Sequence, residues 1–183
     1  MTDDKLPRQN TDEILSRAIK TLEFEAATRG NVILATIELE EIIDHIIANY
    51  FCDNDKQADF RSTFLTDCGL TSKIDILKDI LKINYPEIYT KIISYFEGKA
   101  PKILGIAKLR NQLAHSRVSY TEGYAVDEKM EEAIILQARS KKGLPVPYKL
   151  TKTEAKQKLK EIDAVCGTLI NVLILVRRKQ GRF

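Results

Sequence analysis

Histidine and cysteine are scarce in this chain. It has two histidines and three cysteines, and nowhere do the two types fall at the spacing of a zinc site. Cys52, Cys68 and Cys166 are odd in number and scattered. That argues against a disulfide framework and for a reducing compartment. No apolar run approaches the ~20 residues that a membrane-spanning helix needs. Met1 is followed by Thr2-Asp3-Asp4, the wrong charge for a signal peptide. A cytoplasmic protein without membrane contact is expected. There is no glycine loop to cradle a phosphate and no nucleotide fingerprint. Thr36, Ser62 and Ser72 have no histidine nearby in sequence, so nothing suggests a hydroxyl nucleophile. No metal and no cofactor are expected, and no internal repeat or low-complexity tract is visible.

What remains is an ordinary globular composition. At 183 residues, 44% hydrophobic and 30% charged, the chain is long enough for one domain with a real core. Its net charge of +3 is unevenly spread. Residues 1–91 carry 11 basic and 17 acidic side chains, a balance of −6, and residues 92–183 carry 18 and 9, a balance of +9. A basic half favours an anionic ligand such as RNA, although lysines on solvated helix faces can cluster by chance.

The apolar spacing predicts an all-α, antiparallel helical bundle over residues 11–183, after a flexible tail over 1–10 that contains Pro7. Asn10 or Thr11 is placed to cap a first helix, and Gly30 to interrupt it. A long helix over about 31–51 follows, apolar on more than one side. Asp53-Asn54-Asp55-Lys56 reads as a loop, and 60–65 as a short apolar plug. Thr71 or Ser72 should cap a helix carrying Leu70, Ile74, Leu77 and Leu81. Pro86 seeds another, with Gly98 as its stop. Beyond Ser116 the period changes to two, Gly123 breaks the chain, and a β-hairpin over about 132–150 is expected. Ser140-Lys141-Lys142-Gly143 is its turn, and Pro145 and Pro147 confine the second strand to an edge. Thr151-Lys152-Thr153-Glu154 is a capping box opening a last helix over about 152–178. Ala155, Ile162, Leu169 and Val176 recur every seven residues on it, as do Leu159, Cys166 and Leu173. That seam can pack along a helix of its own bundle or of a partner. Together with the apolar excess of 31–51, it leads us to expect a homodimer.

Chemistry concentrates in one stretch, residues 105–116. Pro101 starts the helix that carries it, and Ile103, Ile106, Ala107, Leu109, Leu113 and Ala114 supply its apolar face. Lys108, Asn111 and His115 recur at three and four residues, which lines them along one stripe. Arg110 lies partly round the cylinder, but its long side chain can lean to the same patch. The rise from Arg110 to His115 is about 7.5 Å, a gap that a phosphate can bridge. An imidazole moves protons near neutral pH, and a guanidinium holds phosphate oxygens bidentately and keeps its charge. The structural alternative is that Arg110 pairs with Glu38, Glu41 or Asp44 while His115 caps a helix end. His45 lies four residues after Glu41, where an intrahelical contact is the simpler role.

Arg110-Asn111-Gln112-Leu113-Ala114-His115 resembles the Arg-polar-x-x-x-His signature of HEPN domains, all-helical modules many of which are metal-independent ribonucleases. Two further landmarks, Thr28-Arg29-Gly30-Asn31-Val32 opening a long apolar helix and Gly69-Leu70-Thr71-Ser72-Lys73-Ile74 opening another, are similar to the mannitol-operon-repressor branch of that group. The resemblance covers roughly residues 20 to 118. It implies a metal-independent endoribonuclease of the toxin or defence type, restrained by a protein antitoxin or another regulatory partner. Arg110, Asn111 and His115 would be catalytic, with Lys108, Arg117, Arg29 and Lys73 contacting the RNA substrate. One histidine cannot easily serve as both acid and base, and HEPN nucleases place two motifs face to face in a dimer. The repressor branch is not known for nuclease work, so the resemblance equally implies a non-catalytic regulator acting through protein contacts. No compact helix-turn-helix with a basic recognition helix stands out.

Overall fold

The structure, a computed structural model, describes residues 8–98, 102–118, 133–139 and 145–182, with side chains for 15–16, 18–98, 102–116 and 149–182. Its spine is α1, Arg8–Phe51, a single helix of 44 residues. Gly30 does not interrupt it, contrary to the expectation from sequence. Thr28, Val32 and Thr36 are buried on the same side around that glycine. Burying that continuous face outweighs the ~1 kcal/mol that one glycine costs a helix. Nor do Asn10 and Thr11 cap α1, since the helix is already formed at Arg8. Residues 1–7 of the expected tail lie outside the described residues.

A turn of 3-10 helix over Asn54–Lys56 leads into α2, Gln57–Phe60, and then a π-helical turn over Arg61–Leu65. The expected apolar plug is thus helical, and it splits its side chains: Leu65 is buried and Phe64 exposed. α3 spans Leu70–Asn84. Gly69 stands at its N-cap, and no side chain bonds there, so neither Thr71 nor Ser72 caps it. Pro86 opens α4, Pro86–Phe96, which Gly98 ends at φ 113°, a conformation that favours glycine. α5 is Lys102–His115, and Pro101, expected at its start, lies outside the described residues.

Three short strands follow: β1 over Arg117–Val118, β2 over Ala133–Arg139 and β3 over Pro145–Thr151. They form an antiparallel sheet in the order β1-β2-β3. The β2–β3 pair is the expected hairpin, running from Ala133 opposite Thr151 to Arg139 opposite Pro145. Pro145 and Pro147 sit on the edge strand, where a missing N–H costs no ladder bond. The expected turn at 140–143 and the break at Gly123 lie outside the described residues.

The last helix, α6, is Lys152–Lys179. Its capping box is present: the Thr151 hydroxyl accepts from the Glu154 amide at 3.2 Å, and the Glu154 carboxylate accepts from the Thr151 amide at 2.9 Å. Ala155, Ile162, Leu169 and Val176 are all buried, joined by Val165 and Val172. Leu159, Cys166 and Leu173 are only half-buried at the flank. The seam faces α1 of the same chain, its most extensive contact. The two helices run parallel rather than antiparallel. Glu38 acts on Cys166, Arg177 on His45, and Asn49 donates to Gln180 at 2.7 Å, all in ascending order. Among the described residues no helix is long and apolar enough to cross a membrane.

Candidate functional site

α5 is held by a buried row of Ile103, Ile106, Ala107, Leu109 and Leu113, while Ala114, expected on that face, is exposed beside His115. That row leaves Lys108, Asn111 and His115 exposed along one stripe, as their spacing implied. Arg110 is half-buried at the margin, and its guanidinium turns to Asn111, donating to the amide oxygen at 3.1 Å. Among the described residues no carboxylate pairs with Arg110. Glu38, Glu41 and Asp44, the partners considered from sequence, do not take it. The asparagine therefore links the arginine to the stripe that ends in His115.

The end of α5 is fastened from outside. Arg29, midway along α1, donates to the carbonyl of Leu113 and, at 2.9 Å, to that of Ser116. Its Nε donates to Glu25 at 2.8 Å, one turn earlier on α1. These are carbonyls that a helix C-terminus leaves without partners. A charged donor there also opposes the negative end of the helix dipole. Arg29 thus lies beside the motif, but its donors go to backbone and to Glu25.

Lys73 is not brought to the motif. Its ammonium is 3% exposed and bonds Glu40 at 2.7 Å and Asp44 at 2.8 Å. On α1 these carboxylates lie about 16 Å (Glu40) and about 22 Å (Asp44) beyond Arg29, at ~1.5 Å per residue. The landmark around residues 28–32 also does not open a helix, because it lies inside α1. Arg117 opens β1, directly after the motif, and its side chain is outside the described residues.

A second polar cluster surrounds the far half of α1. Arg61 from the π-turn faces His45 Nε2 at 2.9 Å. A guanidinium only donates, so Nε2 accepts and the ring proton sits on Nδ1. Burial, then the charges of Arg61 and Arg177, hold the His45 pKa below its ordinary 6.5, against Glu41 and Asp44. Burial raises Asp44 above the usual carboxylate range even though Lys73 opposes it. The expected His45–Glu41 contact is therefore secondary to the arginine. Beyond this, Arg182 donates to the carbonyls of Asn49 and Cys52, the latter at 2.5 Å, and to Asp53 at 2.9 Å. It closes α1 as Arg29 closes α5. Arg182 belongs to the basic run at 177–182 that ends α6, yet it serves the end of another helix.

Arg182 and the capping use of Arg29 were missed from sequence, since a cap supplied from 84 or more residues away leaves no local spacing to read; Arg61 was missed because it meets His45 from a separate turn, 16 residues on. Lys73 did leave a signal, because it follows Leu70 by three residues and precedes Leu77 by four on an otherwise apolar face. All three cysteines are free, and burial pushes the Cys166 thiol up to about 11, away from nucleophilic work. Among the described residues, no three His, Cys, Asp or Glu side chains come together as a metal site. No protein-family model matches the chain, and comparison with curated proteins and with solved structures found no significant match.

Proposed function

We infer that the protein is an endoribonuclease that cleaves RNA through Arg110, Asn111 and His115 and needs no metal for the step. The observation that carries this reading is the state of Arg110, whose guanidinium meets Asn111 and no described carboxylate, on the helix that ends in exposed His115. Cleavage at a 2′-OH needs a group to take the hydroxyl proton, a group to protonate the departing 5′ oxygen, and positive charge where the phosphorane develops. His115 would move the proton, Arg110 would hold the phosphate, and Asn111 would fix the arginine. Lys108, on the same stripe, adds a cation for the RNA backbone. A second copy of the motif would supply the second proton-transfer group.

The products should carry 2′,3′-cyclic phosphates and DNA should be spared, because only RNA has the 2′-OH. His115→Ala should slow cleavage by about 10²–10⁴ with the fold intact. Arg110→Lys should fail as well, since it keeps the charge and loses the fork. Single-stranded RNA left whole by purified protein in chelator, or cleavage by His115→Ala at the wild-type rate, would refute this reading in favour of a regulator acting through protein contacts.

A further inference from the structure

The α6 seam, taken from sequence as a candidate dimer surface, is covered by α1 of its own chain. Among the described residues, none covers the opposite face of α1. Ile19 (48% exposed), Leu22 (43%), Leu34 (58%) and Ile37 (44%) stand on it, with exposed Ala26 and Gly30 between them. At about 100° per residue all six fall within ~60° of one line. Nothing lies within 4 Å of where a Gly30 Cβ would be, so open space faces it.

The order of these residues is symmetric. Ile19, Leu22 and Ala26 step by three and four, and Gly30, Leu34 and Ile37 step by four and three. The centre is at position 28. If a second α1 is laid antiparallel across that centre, Ile19 meets Ile37, Leu22 meets Leu34 and Ala26 meets Gly30. Aliphatic side chains then meet at both ends, and small residues allow close approach at the crossing. Such self-complementarity is what a two-fold, isologous contact requires. Of the charges on this side, Lys20 and Glu38 fit the same register, while exposed Glu23 and Glu41 lie within the same ~60° sector. Lys20 lies eight residues before the centre and Glu38 ten after it, both exposed on the same flank. Across the two-fold axis they are offset by two residues, about 3 Å. A two-fold axis makes each such ion pair twice.

We propose that two copies of this chain pair through the exposed face of α1, antiparallel and centred on Thr28. Arg29 is one residue from that centre and off to one side, and it grips the end of α5. The pairing therefore sets both α5 ends, each with its His115, on the same side of the helix pair at the level of the axis. The proposal names the surface for the two-motif reading above, while its evidence lies on α1 alone.

Sedimentation equilibrium of the full chain at tens of micromolar tests it. The expected mass is twice the 20.8 kDa of one chain. Gly30→Gln puts bulk at the crossing where the monomer has room, so it should weaken association at least 30-fold with helicity retained. Lys20→Glu or Glu38→Lys alone should weaken it about 10-fold, and the two together in one chain should restore it. Wild type at one chain's mass overturns the proposal, as does Gly30→Gln associating as tightly as wild type. RNA cleavage on the same samples separates the two readings. A paired chain that leaves RNA whole ends the nuclease reading and leaves the surface standing. An unpaired chain that cuts RNA ends the surface and leaves the chemistry.

Discussion

Arg29 and Lys73 lie within the two landmarks of the family resemblance, which is why they were expected to contact RNA. Their donors are used inside the fold instead. Sequence shows that a charge exists and roughly which helix face carries it, but not whether a carboxylate or carbonyl from a distant element already meets it. The exposure of His115, Lys108 and Asn111 was legible because it depends only on their spacing along one stripe of one helix. His45 was not, because Arg61 and Arg177 reach it from two other elements. A pH response follows from that setting. The folded-state pKa lies below the unfolded value of 6.5, so the folded chain binds fewer protons than the unfolded chain just below pH 6.5. The stability contributed by neutral His45 is full above pH 6.5 and is lost as pH falls through the folded value. The thermal midpoint should drop over that interval, and His45→Gln should flatten the drop. An identical pH profile for the variant would show that burial and the two arginines do not oppose protonation.

At the scale of elements, most boundaries followed from apolar period and cap chemistry. Pro86, Gly98 and the Thr151–Glu154 box act as their local rules say. The errors share one cause. Gly30 and Thr71 were read as local signals, but packing of the neighbouring turns decided where the helices run. The end of α5 is decided at still longer range, by Arg29. Removing that arginine leaves part-buried carbonyls without their charged donor, a loss of about 2 kcal/mol. Arg29→Met should lower the thermal midpoint, and Arg29→Lys should not recover it, because only the fork reaches two carbonyls and Glu25 together. If Arg29→Met instead keeps its midpoint and raises KM for RNA, Arg29 is the substrate contact that the sequence suggested.

For the whole molecule, the sequence supported an all-helical bundle with one hairpin, and that is the architecture. It could not show that α1 and α6 lie parallel, because heptad spacing carries no direction. Nor could it show how far α1 extends past the core. Among the described side chains, none before Thr28 is buried. A chain lacking residues 1–22 should therefore keep the bundle, with a melting midpoint within a few degrees of the monomeric Gly30→Gln variant. A broad, early melt would show that the first turns of α1 support the core.

Parallel pairing of α1 with α6 also has a consequence in time. Two neighbouring helices joined by a short turn can meet as soon as both exist, but these two are separated by 100 residues, 52–151. Arg182 must also be present before the carbonyls of Asn49 and Cys52 are closed. During synthesis, α3 and α5 can reach α1 early, but the side that α6 covers would wait on the ribosome until the segment around residue 180 emerges. Contacts so distant in sequence slow folding, so this bundle should refold more slowly than helical proteins of its size whose contacts are local. For the newborn chain, that wait is when a chaperone would matter most.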